Sequence, residues 1–168
     1  MRSEPKDSDE FTSAQREGLE TRRSDQELTL AAMHHLEKAL ESAAPKRERQ
    51  WRDEVMAALA VLNEATTQEA DNADRPVSLL SDIARNQPRL RNRVRGIRTQ
   101  YRQLRERIEE LDRELHQPQD AASDFADLRQ RLASVLTALR HVRGRESDLL
   151  YEAYYDAFRT DLEDDLGG

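Results

Sequence analysis

The sequence predicts an all-α fold, an up-down-up-down four-helix bundle, on three observations. Apolar residues recur at helical spacing in four segments; Leu90, Val94, Ile97, Tyr101, Leu104, Ile108, Leu111 and Leu115 hold a four-three repeat without a slip. Prolines at 45, 76, 88 and 118 divide the segments into lengths that fold back on one another, which favours a compact bundle over an extended coiled-coil dimer. No stretch shows the alternation of a half-buried strand.

Residues 1–23 are polar, mixed in charge and aperiodic, so the expectation there is a disordered tail. "SDQE" then announces the first helix, with Ser24 as N-cap and Glu27 closing a capping box. Its apolar stripe is Leu28, Ala32, Leu36, Ala39 and Leu40, and it should stop near Ala43. Pro45 suits the first turn of a second helix, whose stripe of Trp51, Val55, Ala58, Leu62 and Ala65 next lands on Glu69. A loop at "DNADRP" leads to a short helix from Ser78 to about Asn86, and Pro88 interrupts the chain before the long third helix. "HQPQD" ends that helix. The fourth, from about Ser123, carries Leu128, Leu132, Val135, Leu139, Val142, Glu146, Leu149 and Ala153 on one row. The domain expected is thus 24–160, followed by an acidic tail, 161–168.

Composition narrows the function. With 168 residues, 36% of them charged, and a formal net charge of -7, the chain as a whole should repel nucleic acid and anionic membranes. There is no cysteine, so metal ligands are limited to His, Asp and Glu. No secretory h-region opens the chain and no run of about 18 apolar residues occurs, so the expectation is a cytoplasmic protein. Five glycines form no phosphate loop, and no nucleophile motif or diagnostic acid–base pair is present, so the chain is not expected to be an enzyme.

The blocks "LEKALESAAPKRERQWRDEV", "SLLSDIARNQPRL", "RVRGIRTQYRQLRERIEEL" and "ESDLLYEAYYDAF", in that order, resemble bacterial hemerythrin-like (HHE-type) domains over roughly Leu28 to Phe158. The resemblance implies a four-helix bundle whose core histidines and carboxylates hold a non-haem di-iron centre that binds or senses oxygen. Counting back from "DLLYEA", the helix-four histidine of that family matches Val142. The neighbouring His141 points roughly 160° from the apolar row, at about 100° per residue, and should face solvent. The family's "EH" pair in helix three matches Gln100 and Tyr101, and its helix-two histidine falls between Ala65 and Glu69, where none occurs. His116 sits at a helix end; His35 flanks the first stripe and His34 lies further towards solvent. Non-haem iron is therefore disfavoured and no cofactor is expected. A residual metal- or oxygen-linked sensor, using His35 with Glu69 or Glu146, is the alternative.

Glu146 lies on an otherwise apolar row and must be paired, protonated or wetted. Arg93 or Arg98 is the expected partner; Glu146, Tyr101, Glu69 and His35 form the candidate core polar site if it is not merely structural. Nine arginines between Arg85 and Arg107 face only Glu106, a band read as a solvated face that pairs with neighbouring acids, with polyanion binding as the alternative. Nucleic acid is disfavoured because stacking aromatics are missing there. Arg93, Arg98 and Arg102, with Tyr151, Tyr155 and Phe158, make the candidate partner surface. The tyrosine stripe either packs under the N-terminal segment or meets a second copy. The function expected is a binding or interaction module for a protein partner the sequence does not identify.

Overall fold

The computed structural model describes residues 10–42, 47–117 and 125–168, which are almost wholly helical and contain no strand. The expected stop near Ala43, first-turn Pro45, break at Pro118 and start near Ser123 lie outside the described residues, as do residues 1–9 of the expected tail.

Helix α1 spans Ser13–Glu41. Its capping box is Thr12 with Gln15, each side chain bonded to the other's backbone N–H, so residues 13–23, expected as part of a polar tail, are helix. The physical reason is burial: the longer helix places Leu19 in the core ahead of Asp25, Thr29, Ala32, Met33 and Leu36, while Leu28 is 53% exposed. Phe11, just before the cap, is buried against Tyr154 and Phe158.

Helix α2, Glu48–Asp74, buries Trp51, Val55, Ala58, Leu59, Leu62 and Thr66 at the expected spacing. Ser78 caps the short α3, Leu79–Asn86, and a 3-10 turn at Pro88–Leu90 leads into α4, Arg91–His116. Helix α5 is Phe125–Ala153. The chain bends at Tyr154 and continues as α6, Tyr155–Leu166, where an acidic tail from 161 was expected. Ala157, buried on α6, and Phe158, packed on Phe11, hold that last helix to the body.

Four long helices contact one another in the ring order α1, α2, α4, α5 and back to α1, and α3 packs against all of them. Each adjacent pair runs antiparallel. Thr29 meets Glu69 where Asp25 meets Asn72; Arg52 meets Leu115 where Arg98 meets Asp74; Arg131 meets Glu114 where Glu146 meets Tyr101. Between α5 and α1, Arg143 reaches Gln26 and Glu146 reaches Arg22. Leu36, Val55, Leu59, Leu62, Ile108, Leu132 and Leu149 are fully shielded on the inward stripes, each worth about 1.5–3 kcal/mol over an exposed side chain. Among the described residues, no helix is long and apolar enough to cross a membrane.

Candidate functional site

One layer of this apolar interior is polar, and every long helix contributes to it. On α1, Arg22, Asp25 and Thr29 share a face with Leu19 and Ala32, because residues three or four apart stack along a helix. Glu69 and Asn72 do the same on α2, and Arg143 and Glu146 on α5. Helix α4 supplies Tyr101.

The layer divides into three linked contacts. Arg22 Nε donates to Glu146 Oε1 at 3.4 Å, and the Tyr101 hydroxyl donates to Glu146 Oε2 at 2.5 Å. Arg143 reaches Glu69 at 3.2 Å, and Thr29 Oγ1 donates to the same carboxylate at 2.6 Å. Asn72 Nδ2 donates to both oxygens of Asp25, at 3.2 and 2.9 Å. Asp25 is only 6% exposed, yet among the described residues a neutral amide is its sole side-chain partner.

Burial raises the Glu69 pKa above the ordinary carboxylate value, against the Thr29 hydrogen bond and Arg143, with Glu146 and Asp25 adding to the rise. Tyr101 is pushed up by burial first and then by the charges of Glu146 and Glu69, so its hydroxyl stays protonated and remains a donor.

Above this layer opens a cavity of about 230 Å³ between the N-terminal half of α1, the end of α2 and the start of α3. Arg22, Asp25, Glu69, Asn72 and Glu146, with Glu17 and Arg75 at the exposed rim, line its polar side, and Gly18, Ala73, Val77, Leu79 and Leu80 its apolar side.

Three members of the expected core site, Tyr101, Glu146 and Glu69, meet in this layer. His35 does not: it is exposed on α1, because the stripe turns through Ala32, Met33 and Leu36 and leaves it outside. The partner of Glu146 is Arg22, not Arg93 or Arg98. Arg93 pairs with Glu152, and Arg98 pairs with Asp74 and donates to the Ala73 carbonyl and Ser81. Arg22 escaped the sequence reading because it lay within the expected tail, although Arg22, Asp25 and Thr29 continue the stripe of Ala32 and Leu36 backwards. Arg143 and Asn72 were missed for another reason: they sit at the edge of their apolar rows.

His141 is exposed and Val142 buried, as the register of α5 required. His34 and His116 are exposed too, each beside an acid of its own helix. The residues present do not fit a di-iron group. No imidazole enters the layer, guanidinium groups hold Glu69 and Glu146, and among the described residues no three His, Asp or Glu side chains could hold a metal ion together.

The arginine band is largely occupied. Arg89 and Arg93 share Glu152, Arg85 donates to the Pro76 carbonyl and Arg91 to the Ala84 carbonyl. Arg95, Arg102 and Arg107 are exposed and have no side-chain partner among the described residues. In the tyrosine stripe, Phe158 packs under Phe11 with ring centres 5.0 Å apart, one of the two arrangements expected. Tyr151 and Tyr155 meet edge to face and remain 51% and 49% exposed. The tyrosine that is buried is Tyr154, whose hydroxyl donates to Asp82 at 2.6 Å and ties the bend to α3. Comparison of the chain with family models, curated proteins and solved structures returns no match, so the reading of the site rests on its own chemistry.

Proposed function

We propose that the chain is a hemerythrin-like four-helix bundle that holds no iron and acts as a binding module, not as an enzyme. The observation that carries this reading is the polar layer itself. At the level where the resemblance implies a di-iron centre, Arg22–Glu146–Tyr101 and Arg143–Glu69–Thr29 use the carboxylates in ion pairs and hydrogen bonds, and the layer opens onto a cavity. A buried ion pair costs desolvation that an apolar pair does not, so a charged layer beside a void supports a role in binding over one in stability alone.

The test is aerobic purification of the chain followed by elemental analysis, with thermal melts in the presence and absence of a chelator. Substoichiometric metal and a chelator-independent midpoint are expected. Stoichiometric iron, or a midpoint lowered by the chelator, would overturn the reading in favour of a residual metal- or oxygen-linked sensor.

A further inference from the structure

We propose that the cavity above the polar layer binds a monocationic amine carried on an apolar group about the size of one ring. This rests on the binding-module reading above and names its ligand class. The ammonium would sit at Asp25, with Glu146 and Glu69 behind it, and the apolar body would lie against Gly18, Ala73, Val77, Leu79 and Leu80.

Charge argues for the cation. Four carboxylates, Glu17, Asp25, Glu69 and Glu146, border the cavity against two arginines, Arg22, which is engaged with Glu146, and the exposed Arg75 at the rim. Among the described residues Asp25 has one neutral amide for both oxygens and no ion pair, so its remaining lone pairs are open to a donor entering the cavity. A buried carboxylate in that condition gains most from a charge-assisted N⁺–H donor. An anionic ligand would meet the same four acids, with only the exposed Arg75 to offset them unless Arg22 were drawn away from Glu146.

Size argues for a single ring. A dry cavity of about 150 Å³ accommodates benzene, and the void here, about 230 Å³, leaves room for a short amine-bearing side chain but not for a second fused ring system. The wall also has the mixed character of a small-molecule site, apolar over most of its area with a few convergent polar groups at one end. The small side chains of Gly18 and Ala73 keep it open; a Cβ built at Gly18 would already stand 3.3 Å from Leu79.

The experiment is isothermal titration calorimetry of the full chain at neutral pH with 2-phenylethylamine, its neutral analogue 2-phenylethanol and its anionic analogue phenylacetate. Saturable one-to-one binding of the amine is expected, with the alcohol at least tenfold weaker and no heat from the acid. Asp25→Asn should weaken the amine at least tenfold. Ala73→Leu, which fills the void and keeps every charge, should abolish binding, and circular dichroism melts of both variants show that they fold. No saturable heat from the amine at millimolar concentration, equal binding of the alcohol or the acid, or an unchanged affinity in folded Asp25→Asn would each overturn the proposal. Iron is measured on the same batches. Failure of the metal-free reading thus shows as bound metal, and failure of this inference as missing heat on metal-free protein.

Discussion

At Glu146 a carboxylate that is 4% exposed is held by a guanidinium on one oxygen and a phenol on the other. The guanidinium balances the charge; the phenol satisfies a lone pair. Removing Arg22 leaves a buried charge with a neutral donor only, a loss that costs about 3–5 kcal/mol in buried pairs, and the long 3.4 Å contact places this one at the lower end. Arg22→Ala should therefore destabilise the chain by about 3 kcal/mol in urea unfolding. In the Glu146→Gln background the same change should cost at least about 1 kcal/mol less; an equal cost in both backgrounds would show that the two residues are not coupled. Glu69 gives a pH signature of opposite sense to an ordinary salt-bridged acid. Its pKa is raised in the folded chain above the ordinary 4.5, so between those two values the native state binds more protons than the unfolded state. Its contribution to stability is complete below the ordinary value and is lost as pH rises through the raised one. Stability should fall from about pH 4.5 upwards by this group's share, and Glu69→Gln should flatten that part of the curve. A Glu69→Gln curve parallel to the parent's would remove the assignment.

Helices α4 and α5 each carry an interior glycine, Gly96 in the second turn of α4 and Gly144 in the last third of α5, and neither position needs one. Among the described residues a Cβ built at Gly96 or at Gly144 meets nothing within 4 Å, so the side chain can be added without crowding a neighbour. Gly96→Ala and Gly144→Ala should each stabilise the chain by about 0.5–1 kcal/mol, read as a raised melting midpoint, because glycine loses more backbone freedom than alanine on entering a helix. A lowered midpoint for either would show that the position does not tolerate a side chain. At this scale the sequence was readable where a stripe was unbroken. The row from Val94 to Leu115 and the row from Leu128 to Leu149 came out as expected, and with them the outward His141 and the inward Val142; Tyr101 meets Glu146, as in the alternative to an Arg93 or Arg98 pairing. The start of α1 was not readable, because two capping boxes compete: Thr12 with Gln15, and Ser24 with Glu27. Once a helix is nucleated, each further residue costs little, so the upstream box prevails when the added turns bury Leu19 and pair Arg22 with Glu146. That gain is tertiary and leaves no local mark. The same blindness hid the partner of Glu146, since a contact 124 residues apart follows from how the helices are ordered, not from any one of them.

Across the whole molecule, charge is arranged to be consumed internally. The formal net charge is -7, and the positive band from Arg85 to Arg107 runs from α3 through the 3-10 turn into α4, whose neighbours offer acids and helix-end carbonyls. Arg89 and Arg93 converge on Glu152 of α5, Arg98 reaches Asp74 of α2, and Arg85 and Arg91 take backbone carbonyls near α3. Five of the band's nine arginines are thus held by partners within the chain. What is left is the half-buried Arg105 and three exposed cations, Arg95, Arg102 and Arg107, on an acidic particle. Polyanion binding needs several phosphates neutralised together, since affinity grows with the number of counterions released. Three cations, opposed by the field of the whole chain, fall short of that number. The expected outcome of a gel-shift titration with duplex DNA at low salt is no retardation at micromolar protein. Retardation that weakens with salt and is lost in an Arg95→Ala, Arg102→Ala, Arg107→Ala triple variant would show instead that the free end of the band is a binding surface. Retardation that survives the triple variant would place such a surface elsewhere on the chain.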